Sequence, residues 1–230
     1  MSFTWHGISS DTIGVGVEHY PSIPIPARRQ TFLPVPGRNG GILITERAFE
    51  NVILNYDIYI REAANMTVVS RTVLEWLLVP GYHELTDDYD TGITRYAFFD
   101  TTDPIESILN KFGRVTLSFN CRPERFVTEA LTPEAYTAPL GNPTLNEARP
   151  LIVCRGTGAG QLTVGNTTIS LANSEIALDC ENQQAYSPND NTNMNDQMTG
   201  EFPTLPAGTT AISFSGGVSS VEVAPRWYYL

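Results

Sequence analysis

The sequence predicts an all-β protein with one helix, built as two domains. Three observations carry this. Strict two-residue alternation of apolar and polar side chains recurs in NVILNYDIYIR and again in RVTLSFNC, the signature of half-buried strands. A three- and four-residue spacing appears in TVVSRTVLEWLL, as an amphipathic helix requires. Beyond about Thr132 the texture changes to short apolar runs separated by Gly, Asn, Ser and Thr, the pattern of a β-sandwich.

In chain order, PSIPIPARR (residues 21–29) holds too many prolines for a central strand and reads as an extended arm or edge. PVPGRNGG (34–41) is a turn rich in Pro and Gly. The alternation over 42–61 places Val52, Leu54, Tyr56, Ile58 and Ile60 on one strand face. The helix is expected from about Thr67 to Val79, capped by Asn65 and stopped by Pro80-Gly81. GYHEL and ITRYAFF flank the acidic turn TDDYDTG and predict a hairpin. RVTLSFNC closes the first half, and an aperiodic stretch rich in Pro, Thr and Ala places a domain boundary between about Thr132 and Glu147. Further on, ARPLIVCRG, EIALDC, TAISFSG and SSVEVAPRW read as strands, LTVGNTTISL as a hairpin turning at Gly165-Asn166, and 187–200 as a surface loop.

Composition narrows the function classes. The chain has 230 residues, 41% of them hydrophobic and 17% charged, which is the balance of a folded protein. Its net charge is −11. Residues 1–140 carry 11 basic and 17 acidic residues, a net of −6, and the remainder carries 3 and 8, a net of −5. Neither half has the cation excess that phosphate binding demands. No apolar run is long enough for a membrane span, and MSFTWHGISSD has neither the basic start nor the apolar stretch of a secretory signal. Cys121, Cys154 and Cys180 are far apart and form no CxxC, so three reduced, buried thiols are expected.

The motifs yield no chemistry. GTGAG (156–160) lacks the Lys-Ser/Thr of a phosphate loop and is read as a glycine-rich hairpin between strands. Asp87, Asp88 and Asp90 lack the glycine and distal Glu of a calcium loop and are read as a solvated hairpin turn. His6, His19 and His83 form no HExxH. No catalytic set, metal site or cofactor is expected. Trp76 lies on the helix's apolar face, and the chain ends in the aromatic cluster PRWYYL, which suits docking into a core or against a partner.

Taken in order, FTWHGISSDTIGVGV, PVPGRNGGI, SRTVLEWLL with GYHELTDDYD, VTLSFNCRPERF, NPTLNEARPLIVCRGTGAGQLTVGNTTISL, IALDCENQQAY, GEFPTLPAGTTAISFSG and VEVAPRWYYL resemble segments of the phage distal tail protein (Dit) family. The resemblance covers nearly the whole chain collinearly. It implies a β-sandwich-like N-terminal ring domain (1–135), a linker (136–147) and a galectin-like C-terminal β-sandwich (148–230). It further implies a non-enzymatic hub of the virion tail tip, resident in the host cytoplasm during assembly. Such a hub is a homo-hexamer, as one ring or two stacked. It joins the tail tube protein to a tail-associated hub or fibre protein, carries a receptor-binding protein or meets a host glycan, and lets DNA pass without specific binding; the net charge of −6 in residues 1–140 adds the expectation of an acidic or neutral channel. Pro36, Gly37, Arg38, Gly40, Trp76, Leu77, Arg226 and Trp227 are the expected structural or interface residues. Under the rival reading, a carbohydrate-binding C-terminal domain, Tyr186, Tyr228 and Tyr229 are the sugar contacts.

Overall fold

The computed structural model describes residues 1–60, 66–100 and 114–230. They form two compact units, the first spanning Met1–Arg125 and the second Phe126–Tyr229. The boundary along the chain therefore falls before the expected linker. Residues 136–147 belong to the second unit, where Asn142 and Thr144 are buried at 8% and 4% exposure. Absence of periodicity there marks irregular backbone tied down by side chains, not a tether. Asn142 Nδ2 donates to the Asn146 carbonyl at 2.9 Å, and its Oδ1 accepts from Thr144 N at 2.8 Å.

The first unit contains β1 (Phe3–Trp5), β2 (Ile8–Ser9), β3 (Val15–Val17), β4 (Arg28–Pro34), β5 (Gly41–Phe49), β6 (Val52–Ile60), α1 (Met66–Leu77), β7 (His83–Asp87), β8 (Ile93–Phe99) and most of β9 (Arg114–Val127). Its main sheet runs β2-β1-β7-β8-β9-β6-β3. The β1–β2 turn uses His6 and Gly7, both at positive φ, the geometry that matches strand twist in a tight hairpin. Leu54, Tyr56 and Ile58 face inward on β6, as the alternation predicts, and pair with Phe119, Leu117 and Val115 of β9. The apolar stripe of α1 closes the core: Val73 and Leu77 are fully buried and Trp76 is 6% exposed. Phe3 stacks on Tyr56 at 4.6 Å and on Trp76 at 5.3 Å, and Trp76 Nε1 donates to the Trp5 carbonyl at 3.1 Å. The helix ends at Leu77 rather than Val79, because the residue before Pro80 is sterically barred from helical backbone. The expected cap Asn65 lies outside the described residues. Among the described residues α1 is the one α-helix, and none is long and apolar enough to cross a membrane.

The second unit contains β10 (Glu134–Ala135), β11 (Leu140–Asn142), β12 (Leu151–Val164), β13 (Thr167–Leu171), β14 (Ile176–Asp179), β15 (Gln184–Tyr186), β16 (Met198–Thr199), β17 (Gly208–Thr210), β18 (Ile212–Ala224) and β19 (Tyr228–Tyr229). TAISFSG and SSVEVAP are one strand, β18, paired along the whole of β12. The other edge of β12 changes partner, from β14 in its first half to β13 in its second. GTGAG lies at the change. It is not a hairpin but a bulge inside β12, with register shifts at Arg155/Gly156 and Gly156/Gly160. A bulge bends a strand so that it can serve two sheet segments. Glycine is needed because the backbones nearly touch. A Cβ on Gly156 would overlap the Gly217 carbonyl oxygen, and one on Gly217 would overlap that of Thr157. Around this bend pack Ile152, Cys154, Leu162, Ile169, Ile176 and Leu178, all fully buried.

Gly217→Ala is therefore expected to destabilise the second unit by about 1–3 kcal/mol through overpacking. Gly141→Ala is the control: a Cβ there meets nothing within 4 Å, and its effect should stay within about 0.5 kcal/mol. Urea unfolding followed by Trp227 fluorescence compares the two, and equal midpoints would refute the account of the bend.

Candidate functional site

Among the described residues, β4 and β5 pair only with each other, apart from the main sheet. Every residue of β4 is exposed, and β5 is exposed along its length between half-buried ends. Paired residues share a face, so the register sorts the side chains. Phe32 and Leu43 occupy one face, at 62% and 54% exposure; Leu33, Ile42 and Ile44 occupy the other, at 44–49%. Both faces of the ribbon are thus apolar and open to water. Polar groups gather at its base, where Arg28 stacks on Phe49 at 4.4 Å and Arg29 pairs with Glu50 at 2.9 Å.

The expected interface residues Pro36, Gly37, Arg38 and Gly40 are brought together at the tip of this ribbon, where Arg38 N donates to the Val35 carbonyl at 3.2 Å. Gly37 and Gly40 hold φ of 77° and 80°, which other residues adopt only with strain. Trp76 and Leu77 are elsewhere, in the core of the first unit. The sequence reading missed Phe32, Leu33 and Ile42–Ile44 as a ribbon. RRQTFLP and GILITERAF on either side of VPGRNG carried the hairpin signal, but the prolines at 21, 24 and 26 drew residues 21–29 into an arm and left the turn at 34–41 without its first strand.

The acidic turn also differs from expectation. Asp87 is only 3% exposed and Asp90 only 17%. Arg95, itself 3% exposed, lies 2.5 Å from Asp90 Oδ2 and 3.7 Å from Asp87 Oδ2. Arg125 Nη2 donates to Asp90 at 2.7 Å, and Tyr56 OH donates to Asp87 at 2.7 Å. Burial, then the Asp87 carboxylate, pushes the Tyr56 phenol well above its usual range. The cluster is an internal ion network, with its carboxylates turned toward arginines rather than presented to a cation. Only Asp88 remains at the surface, accepting from Ser2 N at 2.8 Å. Among the described residues, no three His, Cys, Asp or Glu side chains converge as a metal-binding group.

In the second unit Arg226 donates to Asp179 at 2.7 Å from a backbone at φ 56°. Burial opposes ionisation of Asp179, yet hydrogen bonds from Arg226 and Asn182 hold its carboxyl below the usual range. Tyr186 lies beside this pair, its phenol raised by burial and then by Asp179. Trp227 is 7% exposed. Tyr228 packs its ring on Phe126 at 5.9 Å, its hydroxyl donates to the Glu147 carbonyl at 3.3 Å, and its carbonyl accepts from Asn146 at 3.1 Å. Tyr229 is 40% exposed. Cys121, Cys154 and Cys180 are free and buried, each thiol pushed up by burial to about 12.

Arg95→Ala should cost about 3–5 kcal/mol, since it strands buried carboxylates without their cation. Thermal unfolding measures this, and a loss under 1 kcal/mol on that scale would place the network's weight elsewhere. The thiols predict a second outcome. None of the three reacts with a thiol-specific reagent in the native chain at pH 8, and all react in denaturant. Their raised folded-state values act from the ordinary 9.0 to about 12, so their contribution to stability is intact below pH 9 and falls as pH climbs through that window.

Residues 16–121 match the family of the phage tail protein RIFT-related domain. Among solved structures, the chain is similar to the Dit protein of SPP1 at 14% identity and a TM-score of 0.73, covering 100% of this chain and 99% of that one. That protein is described as a paradigm of hub adsorption apparatus in phages infecting Gram-positive bacteria. No curated protein matches this chain. The matched segment spans just under half of the chain, and the full-length likeness shows that the chain shares the fold of the SPP1 Dit protein.

Proposed function

We propose that this chain is a non-enzymatic hub of the phage tail tip, assembling as a hexameric ring, single or stacked in two. The ring joins the tail tube protein to the tail-associated hub or fibre protein, and the second unit, a galectin-like sandwich, offers a site for a receptor-binding protein. The observation that carries the reading is the ribbon of β4 and β5, apolar on both faces. An isolated two-stranded ribbon is marginal in water, and exposed apolar surface of this kind marks an interface. A neighbouring copy covers both faces if each subunit lays its ribbon across the next. That contact is heterologous, and when the rotation closes it makes a ring. The likeness to SPP1 Dit supports the hub role. The net charge of −11 suits a channel that DNA traverses without being held.

The sugar-binding reading has less support. Of Tyr186, Tyr228 and Tyr229, Tyr228 already has its ring, hydroxyl and carbonyl engaged within the unit.

Light scattering on the purified chain should give the mass of six or twelve subunits, with rings in negative stain. Replacing Leu43 and Ile44 by Asp, one on each ribbon face, should weaken assembly at least tenfold while near-ultraviolet circular dichroism stays unchanged. The same rings, mixed with duplex DNA at low salt, should not retain it. A wild-type chain that remains monomeric at millimolar concentration, alone and with the tail tube protein, would overturn the ring. So would a double variant that assembles as well as wild type.

A further inference from the structure

The second unit carries a groove that the ring reading does not use. Its volume is about 430 Å³, between residues 127–132 and 134–143, within the range of ordinary binding pockets. Val223 and Trp227, both at least 93% buried, line it together with half-buried Tyr136 and Leu140. The charged residues on its lining are Glu129 and Glu134, both exposed. Neither forms an ion pair with a cation among the described residues. One wall includes β10, the last strand of its sheet, with β18 on one side and no described strand on the other. An apolar trough, an acidic rim and a strand that ends its sheet thus occur together.

Each feature restricts the occupant. A terminal strand accepts an extended chain through backbone hydrogen bonds, with alternate side chains entering the adjoining pocket. The unpaired carboxylates favour cations on that chain. A second copy of this protein is a poor fit, because its net charge is −11 and residues 141–230 hold only 3 basic residues. A saccharide is a poor fit as well. Sugar stacking needs an open aromatic face, whereas Trp227 is 7% exposed and the Tyr136 hydroxyl already accepts from Ile212 N at 2.8 Å.

We propose that this groove docks an extended segment of another protein, apolar at alternate positions with Lys or Arg between them. The ring does not require it, so either reading can fail without the other.

The test uses the full chain and two labelled octapeptides, (Lys-Val)4 and (Glu-Val)4. Fluorescence anisotropy should show binding of the first and not of the second. Glu129→Lys with Glu134→Lys should weaken (Lys-Val)4 at least tenfold, while Glu201→Lys, an exposed carboxylate elsewhere on the unit, should leave it within twofold. Hydrogen exchange should show peptide-dependent protection confined to residues 127–143. Light scattering of the double variant should match wild type, which separates this site from the ring contact. Equal weakening by Glu201→Lys would mean attraction to bulk charge and overturn the proposal. Protection elsewhere in the chain would overturn it too, as would protection of 127–143 by a cell-wall glycan but not by the peptide. Self-association abolished by the double variant would reassign the groove to a second copy and equally defeat the idea.

Discussion

Two strands can satisfy each other's backbone, but they cannot cover each other's side chains. The segment Arg28–Phe49 meets this constraint directly, because its register puts Phe32 and Leu43 on one side and Leu33, Ile42 and Ile44 on the other. Neither side is buried within the chain, since all five side chains are at least 44% exposed. Apolar area removed from water is worth about 25 cal/mol per Å², so the unsatisfied faces form a standing drive toward association. Open edges add a hazard of uncontrolled strand pairing. A closed ring resolves both, since it covers the faces a fixed number of times and leaves no free end.

Such a ribbon works as an interface only if its base is stiff, and the first unit supplies that. β5 passes into β6 after two residues, Glu50 and Asn51. Glu50 N donates to the Ala27 carbonyl at 2.8 Å and closes the base across both strands. Asn51 Nδ2 donates to Tyr82 OH and to Asn120 Oδ1, each at 2.7 Å. The outer face of β6 and β9 continues as a ladder, with Ser118 donating to Asn55 at 2.8 Å and Thr116 to Asp57 at 2.6 Å. On the inner side, the Phe3, Tyr56, Trp76 and Phe119 rings lock the same strands. Buried charge adds definition rather than raw stability: Arg95 is compatible with one arrangement of Asp87 and Asp90, and ion pairs of this kind often serve specificity more than stability.

What the sequence made legible follows from how locally each feature is encoded. β6, the start of β9 and α1 came from periodicity, because each has one face buried and one in water, and the β7–β8 hairpin came from the acidic turn between its strands. The ribbon escaped this rule. With both faces apolar and exposed, FLP has no polar alternate position to reveal a period, and Ile42, Leu43 and Ile44 read as the start of the alternating strand of 42–61. The bend in β12 escaped for another reason: Gly156 and Gly217 are explained by each other across the strand pair, a relation no local window contains. Asp87 and Asp90 looked solvated because their cations, Arg95 and Arg125, are supplied by β8 and β9. The groove was equally invisible, since Val127–Thr132 and Val223–Trp227 meet only in the fold.

The two proposed surfaces rest on opposite physics. Copies of a chain with net charge −11 repel one another, so the proposed contact between copies must draw on apolar burial, and the ribbon supplies apolar area between the charges of its base and Arg38 at its tip. Salt screens the repulsion and leaves the burial intact. Docking at the rim of Glu129 and Glu134 draws on attraction between unlike charges, which the same salt weakens. Ionic strength therefore acts on the two surfaces with opposite sign. Under the two proposals an acidic chain gains from that division: the charge that would hinder ring closure would also keep a ring from holding DNA and offer a cationic segment a site outside the ring contact.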